Sequence, residues 1–342
     1  MQKKLLFSLV LSLVLFFSAL SCGGRQTETA SVDENSLPII EVLQETLPDY
    51  ATLFFSSGIG YEIRNEKSNK VIITLGGGAD FSGHRMCLPG AVIFGQHTID
   101  FFLHLYEEYS FFVPEKFDWG RDKKPAPLDD IKARERYTVD NLITNYTEVI
   151  SEYLSQNNYE TVIIAGFSEG GFIVPELYFR LGDYNISGLV AIAAGGLPLY
   201  EGHQILYLKS ISGEAPFNSE DVKKIGPHGY GTLGEFRLAY LFDRPRDSPE
   251  ILWETSTYRW WNSMLFRKTI EFFKEINIPV LFLHGEFDFN VPVESTRYVE
   301  ETLPDKPFTY SYCPEMWHYP RNYGEFMAWR RDIAAWLEAE GL

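Results

Sequence analysis

The chain has 342 residues, 45% of them of hydrophobic type, with 30 Lys and Arg against 47 Asp and Glu and a formal net charge of −17. A chain of this length buries enough apolar surface to fold without disulfides or metal, and it suits one large α/β domain with an insertion as well as two domains. The negative surface repels phosphate backbones, which excludes a nucleic-acid partner. No basic tract, heptad series, internal repeat or low-complexity block interrupts it.

The first segment reads as export signal. Lys3 and Lys4 precede an uncharged apolar run from Leu5 to Leu20, and small residues follow, giving a charged region, an apolar region and a cleavage region in order. At 16 residues the run falls just short of the ~17–25 needed to span a bilayer. A retained anchor is the alternative. The segment Ala19-Leu20-Ser21-Cys22-Gly23-Gly24 resembles a bacterial lipoprotein processing site, although the family most often has Leu where Ala19 stands. The resemblance implies lipidation of Cys22, membrane contact through an N-terminal lipid anchor and a cell-envelope location; ordinary signal cleavage fits the same bond. Residues 1–21 are thus expected to be the signal peptide and 22–36 a flexible tether, since the latter hold little that could be buried. Cys87 and Cys313 are the other cysteines. They are expected to be buried free thiols, with a bridge between them conceivable.

The folded part opens with short strands at Thr52–Ser56, Gly60–Arg64 and Val71–Leu75. A polar loop, Asn65-Glu66-Lys67-Ser68-Asn69, is expected to join the last two as a hairpin. Ser110–Val113 is another strand, closed by Pro114. From Ile131 the period changes. Val139, Leu142, Ile143, Tyr146, Val149, Ile150, Tyr153 and Leu154 step by three and four, which predicts one long amphipathic helix. Strands follow at Thr161–Ala165, Gly188–Ala194, Val280–His284 and Phe308–Tyr312, alternating with helices to Leu181, over Val293–Thr302 and around Phe326, Trp329, Ile333, Trp336 and Leu337. Short apolar strands alternating with helices predict a mostly parallel sheet covered on both faces. Pro175 conflicts locally with the helix after Ser168, because it removes a backbone hydrogen bond. Residues 197–266 break the rhythm with turn clusters and the aromatics Trp253, Tyr258, Trp260, Trp261 and Phe266. They read as an inserted helical cap, leaving 37–196 and 267–342 as the core.

One turn carries the chemistry. Gly166-Phe167-Ser168-Glu169-Gly170 follows an apolar strand and precedes a helix. A sharp strand-to-helix turn projects the Ser hydroxyl and excludes side chains at the flanking glycines. The helix N-terminus also favours negative charge. A serine nucleophile needs a base, and the base needs an orienting carboxylate.

Further along, His284-Gly285-Glu286-Phe287-Asp288-Phe289-Asn290-Val291-Pro292 resembles the acid loop of α/β-hydrolases. Membership of that superfamily implies Ser168 as nucleophile, Asp288 as acid and His318, which follows the last strand, as base. Glu286 is the reserve acid, with a surface role more natural to it, and His284 matches a loop histidine that is usually structural. His84, His97, His104, His203 and His228 have no such placement. Gly76-Gly77-Gly78 after the third strand resembles the oxyanion loop of esterases, with Leu75 where a His often stands. The implied donors are backbone N–H groups of Gly77 or Gly78 and of Glu169.

The resemblance covers about residues 50–342 and implies acyl transfer to water. An aromatic cap favours a small-molecule carboxylic ester; an exported peptidase acting on short peptides, for which Glu254 could hold a terminal amine, and a thioesterase stay open. A non-catalytic binding lipoprotein on the same scaffold is the reading from another class. No cofactor is expected, and no His or Cys spacing suggests a metal.

Overall fold

The computed structural model describes residues 54–56, 60–77, 98–114, 131–217, 247–249, 252–253 and 256–342, all within one compact unit spanning Pro38–Leu342. The signal peptide, the tether with Cys22, Gly78, Cys87, Glu254 and most of the middle of the insertion lie outside the described residues.

Among the described residues, eight strands form one sheet in the order β1-β2-β4-β3-β5-β6-β9-β10. They are β1 (Phe54–Ser56), β2 (Gly60–Ile63), β3 (Lys70–Leu75), β4 (Ser110–Pro114), β5 (Thr161–Phe167), β6 (Ile186–Ile192), β9 (Val280–Gly285) and β10 (Phe308–Cys313). A two-residue pair, β7 (Leu252–Trp253) and β8 (Ser256–Thr257), stands apart. The pairings β1/β2 and β2/β4 are antiparallel and the other five parallel.

The expected hairpin between the second and third strands does not form. β4 lies between them, antiparallel to β2 and parallel to β3. The backbone of β4 is paired along both edges, Phe111 with Ile63 of β2 and with Ile72 of β3, while the side chains of Phe111 and Phe112 are buried on opposite faces of the sheet. The Asn65–Asn69 loop instead braces the entry to β4. Asn65 Nδ2 donates to the carbonyls of Tyr106 and Glu107 at 2.9 and 3.0 Å, and Ser110 Oγ accepts from Asn65 N–H at 3.0 Å.

Strand alternation splits the core into two layers. On one face lie Val71, Ile73, Val162, Ile164, Leu189, Val280 and Phe282. They meet helices α2 (Val139–Ser155) and α3 (Glu169–Arg180), which follow the short α1 (Ile131–Arg136). Ile72, Ile163, Ala165, Val190, Leu281 and Leu283 face the other way. They are covered by the C-terminal helix (Tyr323–Glu340) and by 3₁₀ turns at Thr98–Phe101 and Leu103–Leu105. The predicted stripe on α2 is buried at every position but Val149, which is half-buried. Thr138 caps that helix, its hydroxyl accepting from Asn141 N–H at 3.2 Å. Pro175 lies inside α3, which continues to Arg180.

Between β6 and β9, neighbours in the sheet, run α4 (Leu199–Ser212), the β7/β8 pair, α5 (Tyr258–Met264) and α6 (Ile270–Phe273). Of the aromatics read as cap lining, Tyr258, Trp260 and Trp261 are buried in the same cluster as α2, while Phe266 is exposed. α7 (Glu294–Thr302) follows β9, and the C-terminal helix is α8.

Trp329 on α8 is fully buried and meets the Phe101 ring edge-on at 5.2 Å. Its replacement by Ala is expected to lower unfolding free energy by about 3–5 kcal/mol. Phe266→Ala, at an exposed ring, should stay within about 0.5 kcal/mol. Urea denaturation of the two variants checks the contrast.

Candidate active site

The candidate site forms where three parallel strands end at the same edge of the sheet. β5 ends at Phe167, and the chain turns at Ser168 (φ 53°, ψ −115°) straight into α3. A non-glycine residue at positive φ costs of order 1–3 kcal/mol and persists only when its surroundings hold it. Here Ser168 N–H donates to the Ile192 carbonyl at 2.8 Å, and the Ser168 carbonyl accepts the first helical bond from Phe172 at 3.0 Å. The turn is so tight that a Cβ on Gly166 would lie 2.3 Å from the backbone of Gly170. Ser168 is half-buried. Gly77, at the end of β3, packs beside it: a Cβ built there would lie 3.5 Å from the Ser168 Cβ.

Asp288 follows β9 and is fully buried. A carboxylate away from water must find protein donors. Its Oδ1 accepts from the N–H groups of Asn290 and Val291, each at 2.8 Å. Its Oδ2 takes His318 Nδ1 at 2.7 Å, and His284 Nε2 stands 3.4 Å from the same oxygen. Burial alone would raise this carboxyl's pKa. The His318 charge and the hydrogen bonds from His284 and His318 outweigh burial and hold it well below the usual carboxylate range.

His318 sits in the loop after β10 and is nearly buried. That loop is tied to the Asp288 loop: Phe287 N–H donates to Met316 O at 2.9 Å and Glu286 N–H to Cys313 O at 3.1 Å. Gly285 permits the approach, since a Cβ there would lie 2.3 Å from Trp317 O. The His318 ring also packs at 4.9 Å from Phe167, the residue before Ser168. Tyr319 closes this group, 4.7 Å from Phe167 and edge-on to His318 at 5.0 Å, and is itself exposed.

The structure thus brings His318 and Asp288 into direct contact and sets Gly77 and Phe167 about Ser168. Gly78 lies outside the described residues. Glu286 pairs with Arg297 at 2.7 Å on a partly exposed surface, which accords with the surface role read for it. His284 is internal, with Nδ1 2.7 Å from Thr296 Oγ1 and Nε2 2.8 Å from Val291 O. Burial lowers the pKa of His203 to about 4, so it is not protonated at neutral pH; His104 is exposed. Cys313 is a free buried thiol whose pKa burial pushes up to about 12; a thiol held protonated in this way is a poor nucleophile.

Sequence reasoning missed the side chain of Glu169. It is buried and accepts from Tyr137 OH at 2.8 Å and from Trp260 Nε1. An acidic residue at a helix start reads as ordinary dipole compensation, and nothing in the linear pattern links it to residues 137 and 260. Tyr319 was equally silent, because a single aromatic after a histidine has no spacing to reveal it.

No protein-family model matches the chain. A protein of Escherichia coli O157:H7 assigned as a carboxymethylenebutenolidase is 27% identical over 135 residues, 38% of this chain and 49% of that protein. The chain therefore spans about half the length of the curated relative it matches. Among solved structures, Est1E from Butyrivibrio proteoclasticus aligns with TM-score 0.50 at 14% identity, over 84% of this chain and 99% of that one. Est1E with ferulic acid bound aligns with TM-score 0.51 at 16% identity, over 84% and 100%. With its mostly parallel sheet and helices on both faces, the chain has the α/β-hydrolase fold.

Proposed function

We propose that the protein is a serine hydrolase that cleaves a small-molecule carboxylic ester, with Ser168 as nucleophile, His318 as general base and Asp288 as the orienting acid. The observation that carries this reading is the 2.7 Å bond between His318 Nδ1 and a fully buried Asp288 carboxylate, in the same site as a serine on a strained strand-to-helix turn. A carboxylate on Nδ1 keeps the proton there and turns the Nε2 lone pair outward, the tautomer a base requires.

In this scheme Ser168 Oγ bonds to the ester carbonyl carbon while its proton passes to His318 Nε2. The oxyanion is met by the backbone N–H of Glu169 and by the glycine loop at Gly77, where the α3 N-terminus adds its positive end. The bond to the leaving oxygen breaks as His318 returns the proton, releasing an alcohol. Water, deprotonated by His318, then attacks the acyl-enzyme; acid is released and Ser168 regains its proton. The imidazolium formed in each step is stabilised by Asp288.

An ester is favoured over a peptide by the apolar, aromatic surroundings of the base, Phe167 and Tyr319. The likenesses to Est1E and to the E. coli protein are consistent with a small ester substrate. For residues 1–36 the proposal is an exported chain lipidated at Cys22, so that Cys22→Ser should release it from membrane pellets; unchanged membrane association would contradict that anchor.

Ser168→Ala is expected to abolish labelling by a fluorophosphonate and to reduce turnover of a small activated ester by roughly 10⁴-fold or more. Mass spectrometry should place the wild-type adduct on Ser168 alone; a folded protein that is neither labelled nor active would leave the scaffold a binder. Asp288 also makes a pH prediction. Its carboxyl titrates lower in the folded chain than at its ordinary value of 3.8, so its stabilising contribution is complete above that value and is lost as the pH falls below it. The melting-temperature gap between wild type and Asp288→Asn should therefore be widest near neutral pH and narrow below about pH 4, read by circular dichroism.

A further inference from the structure

The protons on the His284 ring can be assigned by elimination. Thr296 Oγ1 lies 2.7 Å from the Ala194 carbonyl oxygen and 2.7 Å from His284 Nδ1. A hydroxyl has a single proton to give. Two oxygens at that distance with no proton between them repel, so the Thr296 proton lies on the line to Ala194 O. A hydroxyl lone pair then faces Nδ1, and the proton in that bond must belong to Nδ1. On the far side of the ring Nε2 stands 2.8 Å from Val291 O, a carbonyl that only accepts. Nε2 therefore carries a proton as well. A ring that donates from both nitrogens is an imidazolium.

Its charge has a partner. Nε2 is 3.4 Å from Asp288 Oδ2, and both side chains are fully buried. We infer that His284 is held as the buried counter-ion of Asp288 and acts as a positioning residue that tempers the negative charge felt by His318. This extends, and rests on, the reading of His318 and Asp288 as base and acid. Without such a cation, Asp288 would favour the protonated form of His318 more strongly, and the base would be blocked by a proton at a higher pH. With it, the resting pair is neutral, while Asp288 keeps its hydrogen bond to Nδ1. A buried ion pair of this kind is tolerated because each member is also satisfied by other groups: Thr296 and Val291 O for the cation, two amides and His318 for the carboxylate.

Several other ionisable groups on the elements around His284 have partners of their own. On α7, Glu294 pairs with Lys209 of α4 at 2.6 Å and Arg297 with Glu286 at 2.7 Å. Tyr312, opposite His284 on β10, donates to Glu300 at 2.6 Å. His203 of α4 is kept unprotonated by burial near neutral pH. The group next to the His284 charge is Asp288, and His318 shares the same Asp288 oxygen.

Two measurements test this. Nitrogen-15 NMR of the imidazole rings at pH 7, with His284 assigned by the loss of its signals in His284→Gln, should show two N–H nitrogens on that ring. A bare, pyridine-type nitrogen on His284 overturns the inference, whatever the protein's activity proves to be. The pH profile of kcat/KM toward a small activated ester is the second. In His284→Gln, and in Thr296→Val, which keeps the ring but deletes the acceptor for Nδ1–H, the acid limb should move up by roughly one pH unit. An unmoved limb in a folded, active variant overturns the inference while leaving the Ser168 reading intact. Loss of wild-type labelling at Ser168 would instead remove that reading, and the NMR result would still decide the charge of the ring. Should His284→Gln not fold, Thr296→Val supplies both the profile and the altered ring signal.

Discussion

A carboxylate with no access to water organises this site. Asp288 is fully buried, and an ion so placed is stable only where the protein supplies the donors that water would have given. Two come from the chain immediately after it, the amides of Asn290 and Val291, so the loop wraps its own side chain. The third comes from His318, which reaches Asp288 from a different loop. That requirement explains why the two loops are bonded backbone to backbone and why a glycine stands at 285, where any side chain would strike Trp317.

The sheet converts this local demand into a site. β5, β6 and β9 are consecutive parallel neighbours, so their carboxyl ends, and the loops that leave them, fall on one edge. In open α/β sheets that edge is where ligands bind. The strain at Ser168 is held by the same neighbours: its amide is bonded to β6, and its carbonyl starts α3. Ala193, just past the end of β6, also has positive φ, and its amide is bonded to Leu283 of β9. Unusual backbone geometry thus concentrates where three strand ends meet, and the fully buried strands behind them keep it from relaxing.

The insertion enters the site's support through Glu169. Trp260 Nε1–H and Tyr137 OH both donate to its carboxylate, and the two rings stack at 6.0 Å. A second tie, from Arg267 to Asp140 at 2.9 Å and to Glu176, joins the residue that follows the insertion to α2 and α3. The aromatic run of this segment is therefore core on one side rather than lining alone. An aromatic cluster looks the same in sequence whether it faces a ligand or a helix.

Much of the architecture was legible before any coordinates. The short apolar runs of β3, β5 and β9, the 3.6-residue stripe on α2, and the glycines flanking Ser168 are local signals, since backbone geometry alone sets that period and those clearances. Ser168, Asp288 and His318 stand out because each follows a recognisable strand, and their roles are what the resemblance to α/β-hydrolases implies. What the sequence could not determine is what depends on groups distant in the chain meeting in space. Strand order is one such case: the polar Asn65–Asn69 loop has the composition of a hairpin, yet β4 enters between its strands and hydrogen-bonds along both edges. The Asp288–His318 bond, the docking of Trp260 on Glu169 and the chain from Ala194 through Thr296 to His284 are others. Their partners lie 30, 91 and, for Ala194 and Thr296, 102 residues apart, and a hydrogen bond is fixed by distance and direction in space, of which sequence separation carries no record.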